Sequence, residues 1–177
     1  MTEELSKDLF ARLLERARTE KTPKQTLTPA QLDAAEARLK LRLPPLLRRL
    51  AIEIGAGFGP GDAGLLPPPS ALLPGRMYPL CDWGSGIQSA LDADSPDAQI
   101  IRIDPNMPKS DVPARVPPAL HFDRADAVKA ASWIESPSLE QWLTDWLDGQ
   151  PLFYAAYRGA GPEDDEEEDE DEDDEEA

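Results

Sequence analysis

Apolar residues along this chain recur with two different periods. Leu5, Leu9 and Leu13 fall four apart, with Phe10, Leu14 and Ala17 close by and charges on the remaining face. That spacing predicts a helix over residues 3–20. Such a helix either packs on the edge of the domain or serves as a partner-binding arm. After a polar linker from Lys21 to Thr26, Thr28-Pro29-Ala30-Gln31 places threonine at an N-cap, proline at the first helical position and glutamine at the third. This is the capping-box pattern with proline pre-setting the entry. Leu32, Ala35, Glu36 and Leu39 continue at helical spacing. The pattern is expected to stop at Leu43, because Pro44 disfavours helical geometry in the residue before it. Pro44-Pro45 starts another helix, striped by Leu46, Leu47, Leu50, Ala51 and Ile54 and stopped by Gly55. The last helical pattern is the most complete, with Leu139, Trp142, Leu143, Trp146 and Leu147 at i, i+3, i+4, i+7 and i+8. Either Ser136-Pro137 or a box of Ser138 and Gln141 caps it, and Gly149 and Pro151 end it.

Between these helices the period falls to two. The stretch from Pro79 to Asp92 opens with an apolar and aromatic cluster, Leu80-Cys81-Asp82-Trp83. Gly84 and Gly86 then allow a sharp bend. Beyond it Ile87, Ser89 and Leu91 point to one face of a strand, and Gln88, Ala90 and Asp92 to the other. This stretch is expected to form the middle of a sheet. Gln99 to Asp104 predicts the next strand, with Ile101 and Ile103 on one face and Ile100, Arg102 and Asp104 on the other. The two strands should pair as an antiparallel hairpin. Leu65 to Pro69 reads as a short edge strand running into polyproline, since three prolines cannot donate to a central ladder. Ser70 to Tyr78 reads as irregular. Pro105 to Pro118 reads as loop, with five prolines in fourteen residues. Ala119 to Asp123 suggests a short strand with Leu120 and Phe122 inward, and Ala127 to Ile134 leans to helix.

Charge changes the picture at one end only. Residues Glu163 to Glu176 are fourteen consecutive acids, and without them the formal charge of −17 falls to −3. Such a run cannot fold alone, because like charges repel and nothing is available to bury. Gly159 to Pro162 is the hinge before it. No basic footprint suggests a nucleic-acid binder. No apolar run is long enough for a membrane span. The acidic start lacks the apolar core of a signal peptide, and the lone cysteine precludes an internal disulfide. These features suggest a cytoplasmic protein.

Reaction chemistry is sparse. Cys81, His121 and Asp123 can be written as a triad, and Asp123 would share a strand face with His121, but that pair needs a third partner beside it and an oxyanion site, neither of which the sequence shows. The plainer expectation is a small core thiol and an edge-strand histidine. No His/Cys set has zinc spacing. Asp92, Asp94 and Asp97 lack the glycine and terminal glutamate of a calcium loop. Gly55 to Gly61 fails the spacing of a phosphate loop, and it follows a helix rather than a strand. No catalytic residue, metal or cofactor is therefore assigned, and an enzyme is not expected.

Taken together, several features resemble the SUKH superfamily, which includes fungal cell-wall assembly regulators and many bacterial immunity proteins. They are the capped helix, the Leu43-Pro44 junction, the glycine turn, Leu80-Cys81-Asp82-Trp83-Gly84-Ser85-Gly86-Ile87 with its hairpin, and Ser138-Leu139-Glu140-Gln141-Trp142-Leu143. The resemblance implies an α+β domain with helices packed on a central, mostly antiparallel sheet, to which the apolar stripe and the acidic run add a C-terminal amphipathic helix and a disordered acidic tail. The organisation would be an N-terminal helix and linker over 1–27, the α+β domain over 28–158 and the tail over 159–177. Asp82, Trp83, Gly84 and Trp142 would be motif residues with structural roles. The implied function is non-catalytic protein binding, as an immunity protein neutralising a cognate toxin. The alternative is a cytosolic regulatory scaffold of the same fold. For the tail, three roles are open: a solubiliser, a nucleic-acid mimic that engages a basic nuclease toxin, or a loose divalent-cation binder. In the second role Glu163, Asp164, Asp165, Glu166, Glu167, Glu168, Asp169 and Glu170 are the candidate contacts.

Overall fold

A computed structural model describes residues 3–20, 25–61, 63–108, 122, 130–150 and 152. The chain is an α+β protein. Helix α1 spans Glu3–Thr19, α2 Pro29–Leu39 and α3 Pro45–Arg49, which continues as a π-helical turn over Leu50–Ile54. Strands β1 (Met77–Asp82), β2 (Gln88–Asp92), β3 (Ile100–Pro108) and β4 (Ala130–Ser136) follow, and α4 (Leu139–Leu147) comes last. The strands form one antiparallel sheet in the order β1-β2-β3-β4.

The helices pack on one face of this sheet. Leu13, Ala17, Leu32, Leu50, Ile100, Leu139, Trp142 and Leu143 are essentially fully buried in one core with Leu80, Cys81 and Leu91. Helix α1 is built into that core through Leu9, Phe10, Leu13 and Ala17. The opposite face gathers Met77, Ala90, Ile101 and Ile103 around Phe122. The expected alternation in β2 and β3 thus holds, and their hairpin register runs from Gln88 opposite Ile103 to Leu91 opposite Ile100. Alternation breaks in β1, where the register shifts between Pro79 and Cys81. The bulge inserts a residue, so Leu80 and Cys81 both enter the helix-side core. Proline is tolerated there because β1 is an edge strand.

Several expected boundaries move. The stretch 79–92 supplies an edge strand and its inner neighbour, rather than only the middle of the sheet, and β1 begins at Met77. Helix α2 ends at Leu39, not Leu43, because Lys40 adopts a left-handed conformation (φ 53°) that turns the chain. Residues 65–69 form no strand, although the Leu66 N–H donates to the Leu80 carbonyl at 2.7 Å beside β1. Strand β3 runs on to Pro108, past the expected start of the loop. The segment expected to lean to helix from Ala127 instead contains β4, whose β-branched and aromatic positions pair with β3. The Thr28 capping box forms in full: its hydroxyl accepts from the Gln31 N–H at 3.3 Å, and its own N–H donates to Gln31 Oε1 at 2.9 Å. Ser138, not Ser136, caps α4, and Gln141 turns its side chain to Asp145 instead of closing the box.

Candidate functional site

The polar centre of the molecule lies between the sheet and α4. Arg102 stands in the middle of β3 on the helix-facing side and is fully buried. A buried cation is costly unless it is paired and hydrogen-bonded. Its partner is Glu135 on β4, to whose Oε1 an Arg102 guanidinium nitrogen donates. Glu135 also accepts from the Ser89 hydroxyl at 2.5 Å and from the Trp142 indole N–H at 3.1 Å. Ser89 in turn accepts from the Trp83 indole N–H at 2.8 Å. The Trp83 ring lies 4.5 Å from the Arg102 guanidinium carbon, a cation–π arrangement. One carboxylate thus joins β2, β3, β4 and α4, and it reaches the β1–β2 turn through Ser89.

Burial pushes the Glu135 carboxyl above the usual range, against the opposing pull of Arg102 and its three hydrogen-bond donors. Cys81 lies opposite Ser89 in the β1–β2 ladder and is fully buried. Burial, reinforced by the Glu135 charge, pushes its thiol up to about 12, while Arg102 and Ser89 pull the other way. A thiol in that state is protonated near neutral pH and is a poor nucleophile.

The motif residues meet at this network. Trp83 and Trp142 bracket it from opposite ends, Trp142 fully buried and Trp83 half-buried. Asp82 sits at the end of β1, where its Oδ1 accepts from the Gly84 N–H at 2.7 Å. Gly84, Ser85 and Gly86 all have positive φ, and the Trp83 N–H to Ile87 carbonyl bond at 2.9 Å closes the turn. These residues hold the turn that aims Trp83 inward. Residues Glu163 to Glu170, together with His121 and Asp123, lie outside the described residues. Asp94 pairs with Arg76 at 2.8 Å. Among the described residues no group of His, Cys, Asp and Glu is arranged to hold a metal ion.

Two residues at the heart of the network, Arg102 and Glu135, were not singled out by sequence pattern. The available signal was a charge at an inward position of an isoleucine-rich strand, which requires a buried partner. Glu36 carries the same signal on the apolar stripe of α2. Only 4% exposed, it accepts from the Leu43 N–H at 2.8 Å and from Arg48, so one carboxylate locks the α2–α3 corner. An open cleft of about 500 Å³ lies at that corner, lined by Asp33, Glu36, Ala37, Lys40, Leu41 and Arg42. Comparison with protein-family models, curated proteins and solved structures gives no match.

Proposed function

We propose that this chain is a non-catalytic protein-binding module, an immunity protein of the SUKH type that neutralises a toxin with a basic surface. The observation that carries the reading is the placement of charge. Fourteen of the 35 acids stand in one run, attached to a domain close to neutrality. A run of this kind steers encounter with a cationic groove and competes with nucleic acid for it, which suits a nuclease toxin. The buried polar groups support the same reading. Arg102, Glu135, Ser89 and the two indoles are hydrogen-bonded into one network and the Cys81 thiol is buried, which favours a role in the fold over one toward a substrate. No helix among the described residues is long and apolar enough to cross a membrane. The proposed setting is the cytoplasm, where a toxin of this kind would act.

The test is capture from source-cell lysate with the full chain, and with a full-length variant whose acids 163–176 are replaced by their amides. Captured protein is then assayed for nuclease activity with and without stoichiometric chain. The expected result is one basic nuclease, inhibited on binding. Its capture should weaken about tenfold in the amide variant and in about 0.5 M salt, as screening shortens the reach of the charges. Capture of only abundant housekeeping proteins, or of a partner whose activity is unchanged, overturns the immunity reading in favour of a regulatory scaffold.

A further inference from the structure

The α2–α3 corner carries positive charge that the fold leaves over. From Arg38 to Arg49 the chain has Arg38, Lys40, Arg42, Arg48 and Arg49 and no acid. Two carboxylates face the corner, Asp33 and Glu36, and Arg48 binds both, reaching Asp33 at 2.9 Å. Arg49 is held by Glu53 at 3.0 Å and lies over the Phe10 ring. The other three cations are not neutralised in this way. Arg38 donates to the Pro69 carbonyl at 2.9 Å, a neutral acceptor that leaves its charge in place. Arg42 is 85% exposed and reaches only 3.4 Å from a Glu36 oxygen that Arg48 already engages. Lys40 is exposed at the left-handed end of α2, where it and Arg42 line the cleft on either side of Leu41.

We propose that this basic corner is the docking site of the chain's own acidic run, residues 163–176. Charge complementarity selects the surface, and chain length permits it. Leu152 is buried against the core, and Glu163 follows eleven residues later. Those residues span up to about 36–40 Å. A domain of this size has a radius of gyration of about 15 Å, which puts its far side about 60 Å away along the surface, so those residues and the fourteen-residue run together bring acids to any part of it. Tethering also makes a weak contact sufficient. At an effective concentration of about 1 mM, a contact with a dissociation constant of about 0.1 mM between separate molecules is closed about nine-tenths of the time. Fourteen acids facing three cations can engage in many registers, which further favours the docked state. A partner that takes the run must displace it from the corner, which lowers apparent affinity about tenfold and favours the most basic partners. The docking needs only this chain and stands independently of the immunity reading.

The experiment uses the full chain with Ala177→Cys and a spin label on the new cysteine. Cys81 is buried with its thiol protonated, so it stays unlabelled. At low salt the amide signals of Ala37, Lys40, Leu41 and Arg42 should lose intensity. That loss should fall about tenfold in about 0.5 M salt, where the screening length is about 4 Å. The combined variant Arg38→Gln, Lys40→Gln, Arg42→Gln should show the same fall at low salt. Intensity loss spread evenly over the surface, centred elsewhere, or unchanged in the combined variant overturns the proposal. A mixture of isotope-labelled chain without spin label and spin-labelled chain without isotope separates tethered docking from exchange between molecules. Equal loss in that mixture makes a second copy the occupant and overturns docking within one chain.

Discussion

At the scale of single residues, the Arg102–Glu135 pair sets the clearest expectations. Removing one partner leaves an uncompensated buried charge, so Arg102→Leu should cost about 3–5 kcal/mol in urea unfolding. Replacing both, with Arg102→Leu and Glu135→Leu together, should cost well under the sum of the single changes, because no charge then remains buried. Additive losses would show that the pair is not coupled. The pH dependence follows from the raised Glu135 carboxyl. Between the ordinary glutamate pKa and the raised value, this carboxyl keeps in the folded chain a proton that the unfolded chain has released. Its contribution to stability is therefore complete below the ordinary glutamate pKa and is lost as pH rises through the raised value. Glu135→Gln should remove that decline, so the stability difference between the two proteins changes with pH above the ordinary carboxylate range. Parallel stability–pH curves would contradict the shift. Neither residue was legible as a pair beforehand: the sequence shows a charge in an isoleucine strand, while its partner lies 33 residues away.

At the scale of elements, turns and caps divide into those with a local cause and those with a tertiary one. Thr28→Ala removes a cap whose whole geometry is written in four residues, and should cost about 1 kcal/mol. Gly84 and Gly64 look alike in sequence but not in the fold. Gly84 has φ +85° and nothing within 4 Å of an added Cβ, whereas Gly64 has φ +67° and a Gly57 carbonyl carbon at 2.4 Å. Gly84→Ala should therefore cost only backbone strain, about 1–2 kcal/mol, and Gly64→Ala clearly more, because backbone must move. Melting temperatures in the reverse order would contradict this packing. The same division explains β4. Its helical leaning from Ala127 was a weak local preference, overridden by the ladder to β3.

At the scale of the whole molecule, the lone cysteine becomes a reporter. Cys81 is fully buried between the β1 bulge and the helices, with its thiol pushed up to about 12. A thiol reagent at about pH 8 should leave the native chain unmodified for as long as the domain stays closed, and react at once in strong denaturant. Rapid stoichiometric reaction of the native protein would mean that the core is open or that the thiol is activated, and would return Cys81 to consideration as a nucleophile.

The sequence by itself determined the helices, the capped start of α2, the stripe of α4, the β2–β3 hairpin and the concentration of charge in residues 163–176. Each depends on neighbours within one turn, one strand or one tight connection, where period and side-chain type suffice. Tertiary structure alone decided which strand lay at the edge, where α2 ended, that residues 130–136 were a strand and that Arg102, Glu135, Ser89, Trp83 and Trp142 formed one network. Those outcomes depend on burial: an inward charge must find a partner, and that partner is brought within reach only by the pairing of strands distant in sequence.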